Sequence, residues 1–180
     1  MVDIVRDLKD AVDYTWQYPI GQEPGGKLPR YRTIKADPAR FKDPAVGRNR
    51  CVEDIYEPGS TFKPFMWSTV TALGLATPGE MFDTEDGVWK TPYGRTIRDV
   101  AARGQQTWRD VLVNSSNIGM TKGISRMSAE QMHDAVRVFG FGSPVGLGLA
   151  GESNGRVTAL KVWTKYTQTS VAMGYEVAVT

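Results

Sequence analysis

Pro64 is the residue that most restricts how this chain can fold. It stands within an apolar series (Phe62, Phe65, Met66, Thr69, Val70 and Leu73) spaced as one face of a helix and closed by Gly74. Proline has no backbone N–H and its ring clashes with the preceding turn, so a helix accepts it cheaply only in its first turn. The helix must therefore begin close to Ser60, just after Pro58-Gly59. Lys63 then follows Ser60 by three residues, and the two side chains share a face. Serine is a poor nucleophile until a neighbouring base removes its proton. Lysine can be that base only if its pKa falls well below the usual ~10.4, through burial or nearby positive potential. A helix N-terminus supplies backbone N–H groups and positive potential, favouring negative charge near Ser60 and a neutral Lys63. On its own, a serine and a lysine at this spacing arise by chance in any chain this long.

The flanking segments read as a mixed helix and strand protein. Val2 to Val12 carries Ile4, Val5, Leu8, Ala11 and Val12 at helical spacing, whereas Pro19 to Arg50 reads as an extended, loop-rich connection. Val88-Trp89-Lys90 and Arg95-Thr96-Ile97 flank a Pro92-Tyr93-Gly94 turn, the pattern of a hairpin. Thr107, with Asp110 three residues on, caps a short helix through Val113, and a second helix is expected from about Asn117 to Met127. Ser128 and Gln131 form a capping box ahead of Met132, Ala135, Val136 and Phe139, and Gly140 ends that helix. The glycine-rich stretch from Gly140 to Gly155 contains no GxGxxG and no GKS/T, so it reads as a turn-rich connector rather than a phosphate loop.

Composition removes several classes of function. Of 180 residues, 41% are hydrophobic, enough for a real core, and the net charge is only +2, with acids and bases interspersed. That distribution argues against a nucleic-acid or membrane-surface protein, which would cluster its basic residues. One cysteine, Cys51, rules out an internal disulfide and is expected to be structural. The one histidine, His133, lies beside an apolar stripe and reads as a surface or rim residue. No stretch reads as a signal peptide or a membrane span. No metal or organic cofactor is implied.

The surroundings of Ser60 give the pair its meaning. Glu57-Pro58-Gly59-Ser60-Thr61-Phe62-Lys63-Pro64 closely resembles the active-serine segment of penicillin-binding proteins, and Asn114-Ser115-Ser116-Asn117 resembles that family's second motif, S-x-N, between two helices. Asp83-Thr84-Glu85-Asp86-Gly87, Gly94-Arg95-Thr96-Ile97, the Phe139 to Gly142 stretch and Gly174 to Thr180 are similar to class B (monofunctional) members. The resemblance covers roughly residues 48–180. It implies an α+β chain, mainly the helical part of a β-lactamase/transpeptidase-like fold with little of the central antiparallel sheet. Residues 1–50 are then a poorly defined N-terminal segment and 51–180 a partial transpeptidase domain.

The resemblance also implies roles. Ser60 would attack the penultimate D-alanine carbonyl of a peptidoglycan stem peptide, with Lys63 as base and Ser115 relaying a proton to the leaving amine. Asn117, Ser116 and Thr61 would contact the substrate, and the Ser60 N–H would supply half of an oxyanion hole. The partners implied are stem peptides, β-lactam antibiotics and divisome or elongasome proteins, at the outer face of the cytoplasmic membrane. The third family motif, K-T-G, is absent: Lys90-Thr91 comes nearest, but Pro92 replaces the glycine and the pair precedes the second motif. A weakly active or inactive fragment is the expectation. Two other readings stay open. One is a non-catalytic remnant kept for interaction. The other is a serine β-lactamase or β-lactam sensor, which Glu152-Ser153-Asn154-Gly155-Arg156 does not fit as a deacylation segment.

Overall fold

The helix that Pro64 demands is present, and its core face organises the larger part of the chain. A computed structural model describes the backbone of residues 15–22, 29–35, 49–149 and 151–180, and the side chains of the last two ranges. The chain divides into two compact units, Met1–Asn49 and Arg50–Thr180. In the first, strands β1 (Thr15–Gln22) and β2 (Pro29–Lys35) pair antiparallel, with a register shift between Pro19 and Gly21. The reading of Pro19 to Arg50 as an extended, loop-rich connection did not foresee this pairing. Proline cannot donate to a ladder, but a two-stranded sheet consists of edges, where a proline and a bulge are tolerated. The expected Val2 to Val12 helix lies outside the described residues.

The second unit begins with a short helix α1 (Arg50–Glu53). A 3-10 turn over Gly59–Phe62 then runs straight into α2 (Lys63–Ala72), with Pro64 in its first turn. Strands β3 (Met81–Asp83), β4 (Val88–Lys90), β5 (Thr96–Arg98) and β6 (Gln105–Thr107) follow. β4 and β5 form the expected hairpin, and β3 pairs with β6 around it. Then come α3 (Trp108–Val113), α4 (Asn117–Ile124) and α5 (Ala129–Val138). Strand β7 (Arg156–Val157), helix α6 (Lys165–Ala172) and strand β8 (Val177–Ala178), paired with β7, complete the unit. Among the described residues the strands form two-stranded pairs rather than one large sheet, as the fold-class reading expected.

Local chemistry sets the helix ends. Thr107 accepts from the Asp110 N–H, and Ser128 and Gln131 form a reciprocal capping box, as their spacing predicts. The helix expected to reach Met127 stops at Ile124, because the Arg126 and Met127 N–H groups turn back to the Gly123 and Ile124 carbonyls. Cys51, expected to be structural, is instead an exposed thiol. His133 is partly exposed and sets its ring edge-on to Trp163, with centroids 5.5 Å apart.

The core runs from Phe62, Met66 and Val70 on α2 to Trp108 and Val111 on α3, Met120 and Ile124 on α4, and Met132 and Val136 on α5. Trp108 is fully buried. It stacks on Trp67 at 5.7 Å and donates its indole N–H to Thr71 Oγ1 at 2.9 Å. An indole of roughly 200 Å² removed from water contributes about 5 kcal/mol of transfer free energy before entropy is counted. Two glycines let α4 approach this close. A Cβ at Gly123 would lie 2.4 Å from the Trp108 ring, and one at Gly119 would lie 2.4 Å from Val111. Because α4 is drawn hard against α3, its N-terminal residues are carried toward the start of α2. That approach builds the site.

Candidate active site

Lys63 is the centre of the arrangement. It is almost wholly buried, at 1% exposure, as the first residue of α2. Its ammonium donates to the Ser115 carbonyl at 2.6 Å, to Ser115 Oγ at 2.9 Å and to Asn117 Oδ1 at 2.7 Å. Two motifs more than fifty residues apart in sequence therefore meet at one nitrogen. Burial brings the Lys63 pKa from 10.5 down to about 8, against the opposing pull of the Asp99 carboxylate.

The three acceptors are unequal, and that has a chemical consequence. Two are carbonyl oxygens, which can only accept. When Lys63 gives up its proton, its two remaining N–H bonds can stay on the Ser115 carbonyl and Asn117 Oδ1. The lone pair is then left for a hydroxyl, the one kind of neighbour here that can donate. Ser115 Oγ already lies 2.9 Å away. Ser60, exposed and three residues before Lys63 in the 3-10 turn, is the other hydroxyl of the motif pair. Ser60 Oγ is not among the three oxygens that hold Lys63 in this state.

Ser115 lies in the turn between α3 and α4 with φ +54°, a left-handed conformation costing roughly 1–2 kcal/mol for a side chain other than glycine. Left-handed non-glycine residues recur where neighbouring structure over-determines the backbone. Here the surrounding bonds hold both its carbonyl and its hydroxyl on Lys63 while the residue itself remains exposed. Asn117, the first residue of α4, bridges Lys63 through Oδ1 and the Arg98 carbonyl through Nδ2, at 2.8 Å.

Two residues expected to contact substrate are occupied elsewhere. Ser116 is 2% exposed and caps α4: its Oγ accepts from the Gly119 N–H at 2.9 Å and donates to Asp99 Oδ2 at 2.6 Å. Thr61 is exposed, but its hydroxyl donates to the Pro58 carbonyl at 2.7 Å and braces the turn ahead of Ser60. Asp99, which the sequence reading did not single out, lies behind the second motif. Its Oδ1 accepts from the Asn117 and Ile118 N–H groups at 2.6 and 3.0 Å. The sequence signal, an Asp just past a hairpin strand, is too common to have marked it.

The segment leading into Ser60 is clamped from the far end of the chain. Tyr56 pairs with Val179, the Glu176 N–H donates to Glu57 Oε1 at 2.8 Å, and the Gly59 N–H donates to the Gly174 carbonyl at 3.0 Å. Among the described residues no group of three His, Cys, Asp or Glu side chains is placed to hold a metal ion. No described helix is long and apolar enough to cross a membrane.

Residues 27–180 match the family model for the penicillin binding protein transpeptidase domain. A probable peptidoglycan D,D-transpeptidase, PbpC of Pseudomonas aeruginosa, is 38% identical over 136 residues, covering 76% of this chain and 24% of the relative. Peptidoglycan D,D-transpeptidase FtsI of Escherichia coli is 33% identical over 136 residues, covering 74% and 22%. The chain thus spans about a quarter of the length of these curated relatives. Among solved structures, a peptidoglycan glycosyltransferase from Burkholderia ambifaria aligns with TM-score 0.71 at 27% identity, over 99% of this chain and 52% of that one. The transpeptidase domain of Burkholderia pseudomallei penicillin-binding protein 3 aligns with TM-score 0.70 at 27% identity, over 98% and 49%.

Proposed function

Because this chain belongs to the penicillin-binding-protein transpeptidase family, we propose that residues 51–180 are the acylating part of a peptidoglycan D,D-transpeptidase. The observation that carries the reading is the convergence of Ser115 and Asn117 on a buried Lys63 beside Ser60. Ser60 Oγ attacks the carbonyl between the two D-alanines of a stem peptide, and its proton passes to neutral Lys63. The carbonyl–nitrogen bond then breaks, and the terminal D-alanine leaves with a proton relayed through Ser115. The amine of a second stem peptide attacks the Ser60 ester, frees the serine and cross-links the wall. A β-lactam follows the first step and stays on Ser60, because ring opening leaves the former leaving group tethered.

Asn117 keeps a second amide hydrogen for a substrate carbonyl, since one is committed to Arg98. Ser116 and Thr61 act by shaping the two motif turns rather than by touching substrate. Glu152 accepts from the Gly146 and Leu147 N–H groups and braces the glycine-rich connector, which does not favour the β-lactamase reading. Stem peptides and β-lactams are the ligands this reading implies. Divisome or elongasome proteins at the outer face of the cytoplasmic membrane are the partners.

The lowered Lys63 pKa makes the reading testable. With a pKa of about 8, roughly a tenth of Lys63 is neutral at pH 7. Initial labelling rates with a fluorescent penicillin are therefore expected to rise about tenfold per pH unit below about pH 8 and to level off above it. A rate independent of pH between about 6 and about 9 would exclude Lys63 as the base. The same shift bears on stability. Between about pH 8 and 10.5 the unfolded chain keeps a proton that the folded chain has lost, so folding gains stability as pH rises, by up to roughly 3 kcal/mol.

A further inference from the structure

We propose that Asp99 is the positioning residue of the second motif, gripping the start of α4 so that Ser115 and Asn117 are presented to Lys63. The inference deepens the acyl-transfer reading and rests on it. One carboxylate takes three donors from three consecutive residues: Ser116 Oγ at 2.6 Å on Oδ2, and the Asn117 and Ile118 N–H groups at 2.6 and 3.0 Å on Oδ1. Two of these are among the N–H groups that a helix start leaves without partners, and an anion there also meets the positive end of the helix. Charge-assisted bonds of this kind are about twice as strong as neutral ones. Ser115, immediately before them, is held left-handed at φ +54°. Release of the carboxylate lets that turn relax and draws Ser115 Oγ and Asn117 Oδ1 off Lys63.

Asp99 is itself held in place. Its N–H donates to the Gly87 carbonyl at 2.9 Å, and the neighbouring Arg98 carbonyl receives Asn117 Nδ2. The β4–β5 hairpin that delivers it is tied to α6. Arg95 donates to the Tyr166 carbonyl and to Ser170 Oγ, both at 2.9 Å, and the Tyr93 and Thr169 hydroxyls bond to each other. The hairpin, which makes none of the three hydrogen bonds to Lys63, thus sets where the second motif stands.

Two variants separate positioning from simple loss of stability. Asp99→Ala removes charge and acceptors. It is expected to slow penicillin labelling on the order of a hundredfold, the cost of a displacement near 1 Å. Asp99→Asn keeps an oxygen for the two N–H groups but loses the charge. It is expected to slow labelling by roughly tenfold and to shift the acid limb of the pH–rate curve to lower pH, because the negative charge that favours protonated Lys63 is gone. The limb shift reports the lost charge, whereas a rate still lowered on the alkaline plateau, where Lys63 is neutral in both proteins, reports displacement of Ser115 and Asn117. Amide hydrogen exchange at Asn117 and Ile118 gives a readout independent of catalysis: faster in Asp99→Ala, close to the parent in Asp99→Asn. Parent-like rates and pH curves in both variants, or unchanged exchange in Asp99→Ala, would overturn the proposal. A parent chain that takes no label would overturn the acyl-transfer reading instead, and the exchange rates would then decide the Asp99 grip alone.

Discussion

Lys63→Ala is expected to lower the rate of penicillin labelling by about a thousandfold, in the range lost when a general base is removed. The variant deletes the buried cation that joins the two motifs, so Ser115 and Asn117 lose their shared partner as well. Lys63→Arg separates these effects. Arginine keeps the charge and several N–H donors but does not deprotonate in proteins, so it cannot accept the Ser60 proton. Its labelling is expected to be as slow as that of the alanine variant, provided circular dichroism shows the fold retained. An arginine variant that labels within tenfold of the parent would show that Lys63 serves as a fixed positive charge and not as a base.

Gly174→Ala is expected to destabilise the chain by about 2–5 kcal/mol and to cut labelling steeply in the fraction that folds. A Cβ there would fall 1.9 Å from the Gly59 carbonyl oxygen and 2.8 Å from Phe62 Cβ, at a backbone φ of +82°. Two costs add: the left-handed conformation and a collision with backbone, which cannot swing aside as a flexible side chain can. The collision is at the residue before Ser60, and displacing a nucleophile by about 1 Å costs on the order of a hundredfold. Gly140→Ala is the control. Its φ is +89° with open space around the added methyl, so only the conformational cost of about 1–2 kcal/mol applies. Urea unfolding of the two variants distinguishes them. Equal midpoints would mean that Gly174 does not brace the Ser60 turn.

The parts of this architecture that were legible in the sequence are the local ones. Pro64 placed the start of α2, Thr107 and Ser128 placed two helix caps, and Pro92-Tyr93-Gly94 placed the hairpin, each through bonds spanning only a few residues. The meeting of Lys63 with Ser115 and Asn117 was legible only through family resemblance, because no local rule relates residues so far apart. The long-range determinants were not legible at all. Asp99 acts 17 to 19 residues along the chain through groups that any aspartate could offer. Gly174 acts on Gly59 through the lack of a side chain, which leaves no mark beyond one more glycine among 19. The family resemblance implies a substrate contact for Ser116 and a proton relay for Ser115, and it says nothing of the helix cap that Ser116 forms. In the structure the Ser116 hydroxyl is spent on the Gly119 N–H and Asp99, while the Ser115 hydroxyl meets Lys63. In β1, Pro19 and Gly21 weakened a strand pattern that Trp16, Tyr18 and Ile20 otherwise carry.

Ester formation at Ser60 under the control of Lys63 can be seen by peptide mass mapping of the chain after exposure to benzylpenicillin. A single opened-ring penicilloyl group is expected on the peptide that contains Ser60, absent from Ser60→Ala treated in the same way. A folded chain that takes no adduct after prolonged exposure, or an adduct that persists in Ser60→Ala, would contradict it.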